Sequence, residues 1–117
     1  MAGMTVDDVV AYCLAKPGAR EDYPWGDEDL TAKVGGKIFA FIGFGTGSVG
    51  VKCGANAEAA GEWRARYPED ITVMSHVGRY GWNSVRLGGA VADAELRELL
   101  DASYDAVVAK LPRSRRP

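Results

Sequence analysis

The run LTAKVGGKIFAFI, Leu30 to Ile42, constrains this chain more than any other stretch. Two apolar-rich segments separated by a glycine pair read as a β-hairpin, because a two-residue hairpin turn needs positive φ at its central positions. A turn at Gly35 and Gly36 sets the register: Val34 opposite Lys37, Ala32 opposite Phe39, Leu30 opposite Phe41. Leu30, Ala32, Val34, Phe39 and Phe41 are then expected on the core face, and Thr31, Lys33, Ile38, Ala40 and Ile42 on the other. Gly45-Thr46-Gly47 marks a second turn. SVGVKC follows as a strand, with Val49, Val51 and Cys53 inward and Ser48, Gly50 and Lys52 outward.

Helical periodicity brackets these strands. Val6, Val9, Val10, Cys13 and Leu14 fall on one stripe, Thr5 with Asp8 suits a capping box, and Pro17-Gly18 ends the helix. A second helix is expected from Ala57 to Tyr67, capped by Asn56, with Gly61 weakening it by about 1 kcal/mol relative to Ala. A short strand near Ile71 to Met74 leads into WNSVRL, where Val85 and Leu87 alternate against Trp82, Ser84 and Arg86. A final helix is expected from Ala94 to Lys110, capped by Asp93. Its stripe is Leu96, Leu99, Leu100, Tyr104, Val107, Val108 and Leu111. The order is helix, about four strands, helix, two strands, helix. Short hairpin loops make this an α+β fold: a largely antiparallel sheet with helices on one face.

A length of 117 residues fits one domain, here 1–111, followed by a basic tail, 112–117, expected to be unstructured. With 47% hydrophobic and 26% charged residues a packed core is feasible. The net charge of −2 and pI near 5.4 exclude a uniformly basic nucleic-acid binder, so any such role needs positive charge gathered on one surface. No membrane span and no secretory leader are read in the sequence, which points to the cytoplasm, with Cys13 and Cys53 reduced.

Catalysis finds little purchase. One histidine limits the acid–base options, and Cys53, the thiol that might pair with His76, alternates with core residues. The acidic stretch EDYPWGDED, Glu21 to Asp29, has neither histidine nor calcium-loop spacing and reads as a solvated loop. VGGK at Val34 to Lys37 lacks the helix a phosphate loop requires. No catalytic residue, cofactor or metal is expected.

Binding is better represented. Lys33 and Lys52 fall on the outward face, and alternation adds Trp82, Ser84 and Arg86. Cations with an indole suit an anionic partner that carries flat rings, while a strand's wet face also collects Lys and Arg for solubility alone. HVGRYG, His76 to Gly81, adds a histidine, an Arg79-Tyr80 pair expected at a hairpin tip, and the neighbouring Asn83. Asn83 reads either as an adenine-edge reader or as a residue pinning the turn.

The ordered blocks YPWG, LTAKVGGKIFAFI, VGVKC, WNSVRL and LLDASYDAVVAKLP resemble the MmcQ/YjbR family of small bacterial proteins. The resemblance implies a two-layer, secretion-chaperone-like domain, double-wing DNA binding through projecting hairpins, and no enzyme activity. Carried over by position, it implicates Lys33, Gly35, Gly36, Lys37, Lys52, Trp82, Asn83, Val85, Arg86 and Leu87. The candidate DNA-binding set is therefore Lys33, Lys37, Lys52, His76, Arg79, Tyr80, Trp82, Asn83 and Arg86, assisted by Arg113, Arg115 and Arg116. Two other readings stand beside it. One is a protein- or peptide-binding module using an edge strand or the open face, with Ile38, Ala40, Ile42 and Trp82 as its apolar part. The other is a small-molecule pocket lined by Tyr23, Trp25 and Trp63.

Overall fold

The central hairpin forms at the glycine pair: Gly35 and Gly36 have φ of +58° and +82°, and Val34 pairs with Lys37. In the computed structural model, which describes residues 3–26 and 29–117, the elements follow the expected order. They are α1 (Val6–Leu14), β1 (Arg20–Asp22), β2 (Asp29–Val34), β3 (Lys37–Gly43), β4 (Ser48–Lys52), α2 (Ala57–Arg66), β5 (Ile71–Val73), β6 (Trp82–Arg86) and α3 (Asp93–Ala109). All six strands join one antiparallel sheet in the order β1-β2-β3-β4-β6-β5. The fold is α+β, with the three helices on one face.

The register departs from simple alternation beyond the turn. Lys33 pairs with Ile38, yet Ala32 pairs with Ala40 and Leu30 with Ile42, so Phe39 is an extra residue in β3. This bulge turns Ala40 and Ile42 toward the helices, where both are buried, and puts Phe41 on the open face opposite Thr31 and Gly50. The expected places of Phe41, Ala40 and Ile42 are thus exchanged. Phe39 stays in the core, edge-on to Tyr104 of α3 with centroids 5.2 Å apart. The Phe39 carbonyl accepts the Ser103 hydroxyl at 2.6 Å, and the Ser103 hydroxyl oxygen in turn accepts the Lys52 amide at 2.9 Å. One serine therefore clips α3 to two strands at the bulge.

The helix ends follow their caps. Thr5 and Asp8 form the reciprocal capping box of α1, and the Asn56 carboxamide accepts the Ala59 amide at the start of α2. Asp93 was the expected cap of α3 but lies within its first turn; Ala92 is the cap, and the Asp93 carboxylate accepts the Met4 amide at 2.9 Å. That bond draws together the N-terminal ends of α1 and α3. Part of the acidic stretch differs too: Arg20–Asp22 is an edge strand whose Asp22 carboxylate binds Lys33 at 2.6 Å. Asp27 and Glu28 of that stretch lie outside the described residues.

After α3 the chain folds back in a 3-10 turn, Arg113–Arg115, and Arg116 Nε donates to the Leu111 carbonyl at 3.0 Å. Gly35 accommodates this return. A β-carbon there would stand 2.5 Å from Leu111 Cδ1 and 3.0 Å from the Arg115 carbonyl oxygen.

Candidate functional site

The open face is built by three strands in register. Gly50 pairs with Ser84 and Phe41, Lys52 with Trp82, and Ser48 with Arg86, so Lys52, Trp82, Ser84 and Arg86 do share this face. Lys33 shares it as well, opposite Arg20. The face is not bare. Trp25 stacks on Phe41 with centroids 6.2 Å apart, Trp82 meets Phe41 edge-on at 5.2 Å, and Met74 packs over Gly50. Between Trp25 and the Met74–Val77 loop lies a cleft of about 580 Å³, with Phe41 and Ile38 in its walls and Ser75 and His76 at its polar side. His76 has φ of +67°, the left-handed region that a β-carbon disfavours.

The cations on the face divide into two groups. Lys33 is held by Asp22, and Arg86 by Asp70 at 2.7 to 2.8 Å. Asp70 also accepts the Ala90 amide at 2.8 Å; that bond first, and Arg86 second, hold its carboxyl below the usual range. These two cations are neutralised within the chain. Lys52 is different: its ammonium donates to the Tyr80 carbonyl at 2.5 Å and, among the described residues, forms no ion pair with a carboxylate. Burial and the nearby Lys110 charge both lower its proton affinity.

Lys52 belongs to a basic end of the molecule. Lys37 opens β3, Lys110 follows α3, and Lys37, Ile38, Lys52, Trp82 and Lys110 line one pocket of about 260 Å³. Arg79 sits in the 3-10 turn Gly78–Tyr80 just before β6, its guanidinium 4.8 Å from the Tyr80 ring centroid. Arg113 and Arg115 lie in the turn docked against Gly35. Among the described residues, no carboxylate forms an ion pair with Lys37, Lys52, Arg79, Lys110, Arg113 or Arg115. Five acids lie at the opposite end, while Glu98 borders the groove beside Lys52 and Lys110. Asp7 and Asp8 occupy the first turn of α1, Asp93 and Glu95 the first turn of α3, and Asp70 leads into β5. Carboxylates at helix N-termini are favoured by the helix dipole, so this placement also serves the fold. A total charge of −2 thus conceals a local gathering of cations.

The candidate residues sort accordingly. Lys37, Lys52, Arg79, Tyr80 and Trp82 gather at or beside the basic end. Lys33 and Arg86 share the open face but are ion-paired. His76 belongs to the aromatic cleft. Asn83 is on the other face, fully buried: its amide donates to the Ala60 carbonyl at 3.0 Å and its carbonyl accepts Arg64 at 2.7 Å. It pins α2 and is unavailable to a base edge. Arg79 and Tyr80 lie in a 3-10 turn and not at a hairpin tip. Tyr23, Trp25 and Trp63 do not line one pocket, since Trp63 belongs to a groove on the helix side with Leu99 and Ala102. The apolar part of the open face is Ile38, Trp82, Phe41, Trp25 and Met74, without Ala40 or Ile42. Sequence reasoning missed Phe41 and Met74, and also Lys110, which stands at the end of the helix expected from Ala94.

The YjbR family profile matches residues 14–106. The uncharacterized protein YjbR of Escherichia coli K12 is 29% identical over 113 residues, covering 97% of this chain and 95% of its own. The chain belongs to the YjbR family. The same protein of Escherichia coli O157:H7 gives equal figures. The crystal structure of Deinococcus radiodurans protein DR2400, a DUF419 domain, superposes with a TM-score of 0.83 at 30% identity, over 95% of this chain and 84% of that one. A shared fold and family follow from these likenesses. No helix among the described residues is long and apolar enough to cross a membrane.

Proposed function

We propose that this YjbR-family protein is a cytoplasmic, non-enzymatic DNA-binding protein of low sequence specificity, which meets phosphates with its basic end. The observation that carries the reading is the gathering there of cations that, among the described residues, form no ion pair with a carboxylate. Six of them, Lys37, Lys52, Arg79, Lys110, Arg113 and Arg115, come from β3, β4, the cap just after α3 and two 3-10 turns. Trp82 adds a ring on which a base can stack. The reading excludes Lys33 and Arg86 as main contacts, because a cation already paired with a carboxylate gains little from a phosphate. It also excludes Asn83 as a base reader.

Fluorescence anisotropy with a labelled duplex at two or more salt concentrations tests it. Contacts to a handful of phosphates give a log–log salt slope on the order of −3 to −5. Lys37→Glu with Lys110→Glu should abolish binding, whereas Lys33→Gln should leave it nearly unchanged. Unchanged affinity in the double reversal, or no binding at low salt, refutes the reading.

A second reading is favoured by the aromatic cleft over Phe41. Trp25 is 66% exposed there, an unusual position for an indole in a monomer. A peptide-binding module would place an apolar anchor between Trp25 and Met74. Salt-insensitive binding of a peptide, lost in Trp25→Ala and retained in Lys52→Gln, would favour this module over DNA.

A further inference from the structure

We propose that the pocket formed by Lys37, Lys52, Lys110 and Trp82 is a site for a phosphomonoester, a compact dianion, and not merely one stretch of a track for phosphodiesters. The inference deepens the DNA reading and rests on the same basic end, but it can stand or fall alone. Three lysines from separate parts of the chain, in β3, in β4 and just after α3, line one pocket of about 260 Å³. That volume falls below the roughly 300–1,000 Å³ of sites that enclose drug-sized ligands. It suits a phosphoryl group with the atoms next to it, not a whole nucleotide.

The arrangement of charge points to a dianion. Cations that track a duplex are spread along it, each meeting a singly charged diester. Here three lysines line one pocket, the Lys110 charge acts on Lys52, and among the described residues none of the three forms an ion pair with a carboxylate. Such convergence opposes like charges and is relieved most by a ligand that concentrates negative charge. A phosphomonoester carries about −1.5 to −2 at pH 7 and offers three acceptor oxygens, which matches three donors. Lys52 is aimed by its bond to the Tyr80 carbonyl, which leaves two of its three N–H donors free. Trp82 and Ile38 form an apolar wall for the ester side of the group.

The phosphomonoester has two sources, the 5′-phosphate of a nucleic-acid strand and a free phosphorylated metabolite. Amide chemical shifts of the full chain would be followed during titration with methyl phosphate and, separately, with dimethyl phosphate. The expected result is saturable shifts at Lys37, Lys52 and Trp82 with methyl phosphate only. Lys52→Gln and Lys110→Gln should each weaken binding about tenfold, since a hydrogen bond to a charged group is worth about that factor. Lys33→Gln, outside the pocket, should leave it unchanged, and the dispersion of each variant's spectrum verifies its folding. Equal response to the two esters, shifts centred elsewhere, or equal losses in Lys33→Gln and Lys110→Gln would overturn the proposal.

A duplex bearing 5′-phosphates is then compared with the same duplex ending in 5′-hydroxyls. A preference for the phosphorylated form assigns the strand end as source; no preference, with methyl phosphate still binding, assigns a small metabolite. Duplex binding without any methyl phosphate response keeps the DNA reading and rejects this site. Methyl phosphate binding without duplex binding does the reverse.

Discussion

Replacing Asn83 with alanine separates a structural role from a recognition role at one position. The side chain is fully buried between β6 and α2, with one neutral hydrogen bond at 3.0 Å and one from the Arg64 guanidinium at 2.7 Å. A neutral bond contributes about 0.5 to 1.5 kcal/mol and a charged one about 1.5 to 3. Arg64 keeps its second bond, to the Ala57 carbonyl at 2.8 Å, which limits the loss. The expected destabilisation is about 2 to 4 kcal/mol. An unfolding entropy of about 2.1 cal/mol/K per residue gives roughly 0.25 kcal/mol/K for a chain of this size, so Tm should fall by about 8 to 16 °C. Differential scanning calorimetry measures the fall, and anisotropy well below the lowered Tm measures DNA affinity. The affinity of the folded variant should match that of the parent. A Tm within about 2 °C of the parent, together with lost or sequence-altered DNA binding, would refute the buried-pin account and restore Asn83 as a base reader.

Three further outcomes are expected. Gly81→Ala should cost well over 2 kcal/mol, because φ is +90° and the new β-carbon would stand 1.9 Å from the Gly54 carbonyl oxygen; urea denaturation checks it. Asp70, whose carboxyl is depressed by the Ala90 amide and then by Arg86, contributes stability that is complete above its unfolded pKa of about 3.9 and is lost as pH falls through the lower native value. Asp70→Asn should therefore flatten the acid limb of a stability–pH profile while lowering stability at neutral pH. Burial pushes the Cys13 thiol up to about 12 and the Cys53 thiol to about 11, so both should resist a disulfide-exchange reagent at pH 8 in the native state and react on unfolding.

The helices and the hairpin turn were legible because their signals are local: stripes at helical spacing, caps, and a glycine pair. The register of β3 was not. Ile38 to Ile42 is apolar at every position, so alternation carries no information there. Packing of Phe39 on Tyr104 and the Ser103 clip decide where the extra residue goes. Alternation did assign Lys52, Trp82, Ser84 and Arg86 to one face, since β6 is short and regular. It could not foresee that Asp22 and Asp70 would reach Lys33 and Arg86, because those encounters depend on an edge strand and a loop with no pattern of their own. Lys110 escaped for a related reason: its partners in the pocket come from β3, β4 and β6, far along the chain.

The basic end of the molecule bears on how proteins of this kind are sorted by bulk properties. Isoelectric focusing and ion-exchange retention report a sum, and by that sum this chain is an anion. A collision with a polymer of phosphates is governed by whichever face turns toward it. Sorting by isoelectric point would pass over such a local cluster of lysines, while a map of surface charge would show it.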